Sequence, residues 1–184
     1  MLPVGWFVFA VFVAVLLTVW ITFTLTRLDR LHARVDAAQA ALDAQLVRRA
    51  AALLHVAESP DSGVASSDRG RYESVAHTAL GVAEAERAGA ENAVGRALVD
   101  LASAASVVHE AAAAELREAA TRVMISRRFY NDAVRDTRTL RERRMPKLLH
   151  LAGHRAMPQF FDIDDTLPLR TEEPTVPSRP AESP

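Results

Sequence analysis

The 184-residue chain contains no cysteine. This absence excludes disulfide scaffolds, thiolate metal sites and cysteine nucleophiles. Residues 2–26 contain no charged side chain, although 24% of the whole chain is charged. The formal net charge of −1 removes any whole-chain argument for nucleic-acid binding. The length leaves room for one soluble domain beside a membrane segment. Beyond residue 26 the aromatic residues are Tyr72, Phe129, Tyr130, Phe160 and Phe161.

The uncharged stretch from Leu2 to Thr26 predicts a transmembrane helix. About 20 apolar residues span the hydrocarbon core of a bilayer at ~1.5 Å per residue. Trp6 and Trp20 lie near the two ends of the stretch, where indole rings favour the membrane interface. A cleaved signal peptide is the alternative, but no basic residue precedes the run and no small-residue cleavage site follows it.

Flanking charge predicts the orientation of this helix in the cell membrane. No basic residue precedes the apolar run, whereas Arg27, Arg30 and Arg34 follow it, offset in part by Asp29 and Asp36. The positive-inside tendency therefore predicts a single-pass protein with its N-terminus outside and residues 27–184 in the cytoplasm.

The first helix is predicted to continue past the membrane. No proline or glycine occurs between Trp6 and Ser59, and Pro60 disfavours the α conformation at the residue before it. We therefore expect an unbroken helix that ends at Ser59–Pro60. Beyond residue 26, apolar or small residues recur every three or four positions, which marks one helix face: Leu28, Leu31, Val35, Ala38, Leu42, Leu46, Leu53 and Val56.

Three further helices are predicted. The second helix covers about 71–87, the third begins near residue 91, and the last ends before Pro146. An unbroken helix over 96–145 would be about 75 Å long, so we place a break at 103–109. Four amphipathic helices with short loops predict an all-α, antiparallel up-and-down four-helix bundle. The inward positions are Tyr72, Val75, Ala79, Val82, Ala83, Val94, Ala97, Leu98, Leu101, Leu116, Ala120, Val123, Tyr130, Val134 and Leu140.

The C-terminal residues form a separate segment by composition. Five of the nine prolines lie in residues 168–184, and residues 162–184 hold six acidic side chains against two arginines. Such a composition predicts a disordered tail, with Phe160 and Phe161 docking on the bundle before it. The predicted domains are therefore an anchor (1–26), a helical bundle (27–158) and a docking segment with an acidic, proline-rich tail (159–184).

Four ordered motifs occur along the chain. They read LDAQLVRRA at 42–50, AEN at 90–92, SRRFYNDAV at 126–134 and QFFD at 159–162. In this order they resemble the motifs of the LemA family of bacterial membrane-anchored helical proteins. The chain is similar to a divergent member, because residues 51–56 read AALLHV where the family has D-L-I-P-N-L. The resemblance implies an N-out anchor and a cytoplasmic helical bundle.

Few residue patterns in the sequence are typical of metal binding or catalysis. His150 and His154 have the i, i+4 spacing of a metal site, but Gly153 weakens a helix there, so we favour two polar residues near a helix end. His32, His55, His77 and His109 are scattered singly. No Ser/His/Asp order, glycine-rich phosphate loop or paired acid/base carboxylate is recognisable. We expect no catalytic residue, no metal, no cofactor and no enzymatic activity.

Polar residues around the adjacent arginines at 48–49 and 127–128 predict a network between the first and last helices. Adjacent helical residues point about 100° apart, so one arginine of each pair can face a neighbouring helix. We favour an interhelical pairing that sets helix register over a binding site. The residues concerned are Asp43, Gln45, Arg48, Arg49, Arg127, Tyr130 and Asn131.

A basic cluster marks the end of the last helix. Residues 127–155 hold nine lysines or arginines against three acidic residues. In an up-and-down bundle this end returns to the membrane, where basic residues contribute ~1 kcal/mol each beside anionic lipid. A solvated face that complements the helix C-terminus is the equal alternative. The predicted headgroup contacts are Arg27, Arg30, Arg34, Arg138, Arg141, Arg143, Arg144 and Lys147, with Arg135 beside them.

Together these patterns predict a membrane-anchored, non-enzymatic scaffold or adaptor. Its expected partners are the lipid bilayer, proteins bound through the bundle or tail, and a second copy bound through the first helix. A nucleic-acid- or anionic-lipid-binding module using the arginine-rich last helix is the alternative, although the acidic tail argues against nucleic acid. A sensor or transporter accessory within the membrane is a third hypothesis.

Overall fold

The computed structural model describes residues 4–103, 108–142 and 156–164. Over these ranges the chain is all-helical, as predicted, and forms no strand. Short 3-10 turns at Pro60–Ser62 and Glu84–Glu86 lie between helices. The four α-helices are α1 (Val4–Glu58), α2 (Ser66–Gly81), α3 (Arg87–Ser103) and α4 (Glu110–Arg141).

The predicted end of α1 and the break before α4 are confirmed, whereas α3 begins at Arg87 and not near residue 91. α1 ends at Glu58, directly before Ser59–Pro60. α3 ends at Ser103 and α4 begins at Glu110, so a break separates them as predicted.

The bounds of α2 differ from the prediction, since this helix begins and ends earlier. Asp68 lies in its first turn, where a carboxylate complements the helix dipole. Val82 has extended backbone angles (φ −75°, ψ 145°) and stops the helix after Gly81.

The chain divides into two compact units, and the first comprises residues 1–46 and 122–162. The periodic stripe of α1 is buried in it at Leu28, Val35, Leu42 and Leu46. Thr137 of α4 is also buried, and its hydroxyl donates to the Ala133 carbonyl, so burial leaves this donor satisfied. The other buried residues of α4 here are Val123, Tyr130, Ala133, Val134 and Leu140.

The N-terminal part of α1 packs against nothing that the structure describes. Every residue from Val4 to Trp20 is exposed, and the Phe7 side chain is 71% exposed. By length and composition α1 is able to cross a membrane, and among the described residues it is the one helix that meets this test.

The second unit comprises residues 47–121 and 163–184. Its core is unusually rich in alanine, which allows close approach of helices but buries little apolar area per residue. Leu53, Val56 and Val94 supply the largest fully buried apolar side chains of this unit. Around them lie Ala50, Ala52, Ala57, Val64, Tyr72, Ala76, Ala79, Ala97, Leu98, Leu101, Leu116 and Ala120.

Candidate functional site

An open cavity of about 410 Å³ lies in the first unit, beside the residues that follow the apolar run. Its charged lining consists of Arg27, Arg34, Arg135 and Asp136. Arg34 Nη1 donates to Asp136 Oδ2 at 3.0 Å, and both side chains are 54% exposed. An exposed ion pair of this kind contributes little to stability, so its arginine remains available to other anions. Leu31, Thr139 and Leu140 complete the lining.

A groove separate from this cavity lies along the apolar part of α1, and Arg27 and Arg30 both line it. Three threonines line it, Thr18, Thr22 and Thr26. Each hydroxyl donates to the carbonyl four residues earlier, at 2.8–2.9 Å. Because these donors are satisfied within the helix, the groove presents mostly apolar surface. Arg30 lines this groove and not the cavity of about 410 Å³.

The described C-terminal segment, residues 156–164, runs along α4 in the first unit as far as residue 162. The Tyr130 hydroxyl donates to the Gln159 carbonyl at 2.8 Å. Asn131 makes two bonds to Phe161: Nδ2 donates to its carbonyl at 3.0 Å, and Oδ1 accepts from its N–H at 2.9 Å. The side-chain amide therefore pairs with the main chain of the segment as a neighbouring strand would.

Two arginines of α4 also hold the main chain of this segment. Arg141 Nη1 donates to the Ala156 carbonyl at 2.9 Å, and Arg138 Nη1 to the Pro158 carbonyl at 3.5 Å. Arg138 also lies 5.3 Å from the centre of the Phe160 ring, a cation–π distance. The segment thus contacts α4 through main-chain bonds at Phe161 and an arginine contact at Phe160. Docking of the two phenylalanines on a bundle stays a prediction.

We expect Phe161→Pro to release this segment, because proline lacks the N–H that Asn131 accepts. The loss of one such bond is worth about 0.5–1.5 kcal/mol, enough to raise local amide exchange several-fold. Hydrogen exchange with mass spectrometry over residues 156–164 measures the effect. Phe161→Ala keeps the N–H and is the matched control; equal acceleration in both variants would show that the ring, and not the main chain, holds the segment.

A buried ion pair lies in the second unit, where Arg49 of α1 meets Glu91 of α3. Arg49 Nη2 donates to Glu91 Oε2 at 2.6 Å and to the Glu91 carbonyl at 3.1 Å. The two side chains are only 5% and 1% exposed. Glu91 was not among the predicted network residues, although it lies in the AEN motif at 90–92 that was singled out in the sequence.

The predicted polar network is distributed over separate contacts. Arg49 bonds to α3, whereas Tyr130 and Asn131 bond to the C-terminal segment. Arg127 lies 3.8 Å from Asp162. A direct network between the first and last helices stays a prediction. Of the remaining members, Asp43 is half-buried, Arg48 is exposed, and Gln45 Oε1 is buried without a hydrogen-bond donor among the described residues.

Several predicted residues lie outside the described ranges, namely Arg143, Arg144, Lys147, His150 and His154. Of the other histidines, His32 is buried, whereas His55, His77 and His109 are exposed. Over residues 4–103, 108–142 and 156–164, no group of three or more histidine or acidic side chains is arranged to hold a metal ion.

In the second unit, exposed Arg71 and Asp100 lie beside buried Tyr72, and the pKa values of Arg71 and Tyr72 are shifted. Arg71 Nη2 donates to Asp100 Oδ2 at 2.5 Å, and this hydrogen bond raises the pKa of the Arg71 guanidinium above its usual value. Arg71 Cζ also lies 5.0 Å from the centre of the Tyr72 ring. Burial raises the pKa of the Tyr72 phenol above its usual value, although the positive charge of Arg71 opposes the shift. Both shifts favour the protonated form of the group.

Comparison with known family models, curated proteins and solved structures finds no match to the chain. The resemblance to the LemA family therefore stays a prediction from the four motifs.

Proposed function

We propose that the chain is a single-pass membrane protein whose helical bundle acts as a non-enzymatic scaffold or adaptor at the cytoplasmic face. The exposed apolar part of α1 carries this proposal. From Val4 to Trp20 every side chain is exposed, and a contiguous apolar surface of this kind marks a membrane or protein contact. Because an internally bonded helix is one of the few structures stable in lipid, a bilayer fits this surface.

Charge at the end of the run supports the N-out orientation. Arg27 and Arg30 are the first basic residues of the chain, and arginines beside a transmembrane helix favour the cytoplasmic side. The antiparallel bundle is supported by the ion pair between Arg34 and Asp136, which joins the membrane-proximal part of α1 to the C-terminal part of α4. The LemA resemblance supports the same arrangement.

The adaptor role is supported by the way α4 holds residues 156–162. Tyr130, Asn131, Arg138 and Arg141 all bond to main-chain groups of a segment without regular secondary structure. Such recognition depends on backbone conformation and accepts many side chains, which suits a surface that binds extended peptides.

We expect wild-type protein to remain in the membrane after alkaline carbonate extraction, and Val15→Arg to increase the extracted fraction. An arginine near the middle of the span costs about 2.5–3.5 kcal/mol on insertion scales. Thr26→Arg, which adds the same charge at the end of the span, is the matched control and should stay membrane-bound. Release of the wild-type chain by carbonate would contradict the anchor.

A reporter fused after Pro184 tests the orientation independently of the anchor. The proposal predicts reporter activity on the cytoplasmic side only. Activity confined to the outer side would overturn the N-out orientation, whereas it would leave membrane attachment unaffected.

A further inference from the structure

The cavity of about 410 Å³ in the first unit has the composition of a site for a phosphate group. Three guanidinium groups line it, against the single carboxylate of Asp136. Arg34 pairs with that carboxylate at 3.0 Å, and Arg135 pairs with Asp132 at 2.7 Å. Arg27 has no hydrogen bond or ion pair to any residue in the described ranges. Its planar fork of donors is therefore free for an oxyanion, which guanidinium groups bind through paired N–H groups.

The position of the cavity along α1 matches the headgroup layer of a bilayer. A hydrocarbon core of about 30 Å within a bilayer of about 40–45 Å leaves roughly 5–7 Å for headgroups on each side. At about 1.5 Å per residue, Arg27 and Leu31 lie within about 8 Å of Thr26 along the helix. With the anchor proposed above, the cavity opens at the depth of lipid phosphates.

The lining also favours a phosphate that is attached to an apolar group. Leu31 and Leu140 lie beside the arginines in the cavity. A free phosphate ion gains nothing from such side chains, whereas a lipid headgroup in the cavity buries its carbon atoms against them.

The arginines that line the cavity differ in their contacts from the other basic residues near the proposed membrane surface. Arg138 and Arg141 donate to carbonyl groups of the chain itself. Arg30 lines the groove on the apolar part of α1 and is not part of the cavity. A diffuse basic surface would use all these residues alike, whereas the structure groups Arg27 and Arg135 with Arg34 in the cavity.

We propose that this cavity binds the phosphate of an anionic glycerophospholipid headgroup. Arg27 and Arg135 donate to the phosphate oxygens, and Leu31 packs against carbon atoms of the headgroup beyond the phosphate. The site rests on the membrane anchor proposed above for its supply of lipid, and it holds the C-terminal part of α4 at the level of the headgroups.

Native mass spectrometry of the full chain in detergent micelles tests this site, with phosphatidylglycerol as the probe and phosphatidylcholine as the zwitterionic comparison. We expect one phosphatidylglycerol to be retained per chain in preference to phosphatidylcholine. Arg27→Gln should weaken this retention by about tenfold or more, as expected for loss of a charge-assisted hydrogen bond. Arg30→Gln is the matched control on the same helix and should stay within about twofold of wild type.

A second pair of variants repeats the test on α4. Arg135→Gln should weaken retention of phosphatidylglycerol, and the exposed Arg128→Gln should not. Equal losses in Arg27→Gln and Arg30→Gln would overturn the site in favour of a diffuse basic surface. Displacement of the lipid by inorganic phosphate at equal concentration would overturn the lipid as ligand. Because the measurement is made in detergent, its failure is distinct from failure of the anchor, which carbonate extraction reports.

Discussion

Glu91→Ala is expected to lower the free energy of unfolding of the full-length chain by about 3–5 kcal/mol. The substitution leaves the Arg49 guanidinium, 5% exposed in the native state, without its carboxylate partner. A buried charge without a partner pays most of its desolvation cost with no compensating attraction. Denaturant unfolding in detergent micelles, followed by circular dichroism, measures the change.

Two comparison variants separate this effect from general sensitivity to substitution. Asp100→Ala breaks the exposed pair with Arg71, whose side chains are 57% and 51% exposed, and should cost less than about 1 kcal/mol. Replacing both members of the buried pair, Arg49→Met with Glu91→Leu, should recover most of the stability lost in Glu91→Ala, because no charge then remains buried. A double variant as unstable as Glu91→Ala would show that the ion pair is not the cause.

Leu53→Ala is expected to lower the free energy of unfolding by about 2–5 kcal/mol. Leu53 is fully buried in the second unit, and its neighbours in that core include many alanines. Alanine side chains are too short to close a space left by leucine, so the cost should lie in the upper part of this range.

The matched control for this prediction is Val47→Ala on the same helix, since Val47 is 46% exposed. Its expected cost is within about 0.5 kcal/mol. Both variants are compared by the same denaturant unfolding in one detergent. Equal losses at residues 47 and 53 would contradict the burial of Leu53.

The buried faces of the helices were predictable because they depend on local periodicity. Leu28, Val35 and Leu42 recur at the helical repeat, and all three are buried. The end of α1 was equally predictable, since the proline at residue 60 acts on its direct neighbour. The beginning of α2 was missed because residues 66–70 are polar or glycine, so no apolar repeat marks this first turn.

The polar contacts were not predictable, because they depend on partners distant in sequence. The partner of Arg49 lies 42 residues away, and nothing in the spacing of charges distinguishes Glu91 from the exposed glutamates. From the sequence, Arg138 and Arg141 were predicted to be basic surface residues. Their actual partners are carbonyl groups, which sequence composition does not reveal. The cavity arginines, Arg27 and Arg34, were predicted as headgroup contacts, but their separation from Arg30 required coordinates.

Recognition of residues 156–162 through carbonyl and amide groups has a consequence for sequence divergence. Every residue type carries the same carbonyl, so most substitutions in this segment preserve the contacts with Tyr130 and Asn131. A one-residue insertion or deletion shifts each carbonyl by about 3.3–3.6 Å, the length of an extended residue, and breaks the register with α4. Natural variants of the chain should therefore differ freely in the identity of these residues while keeping their number.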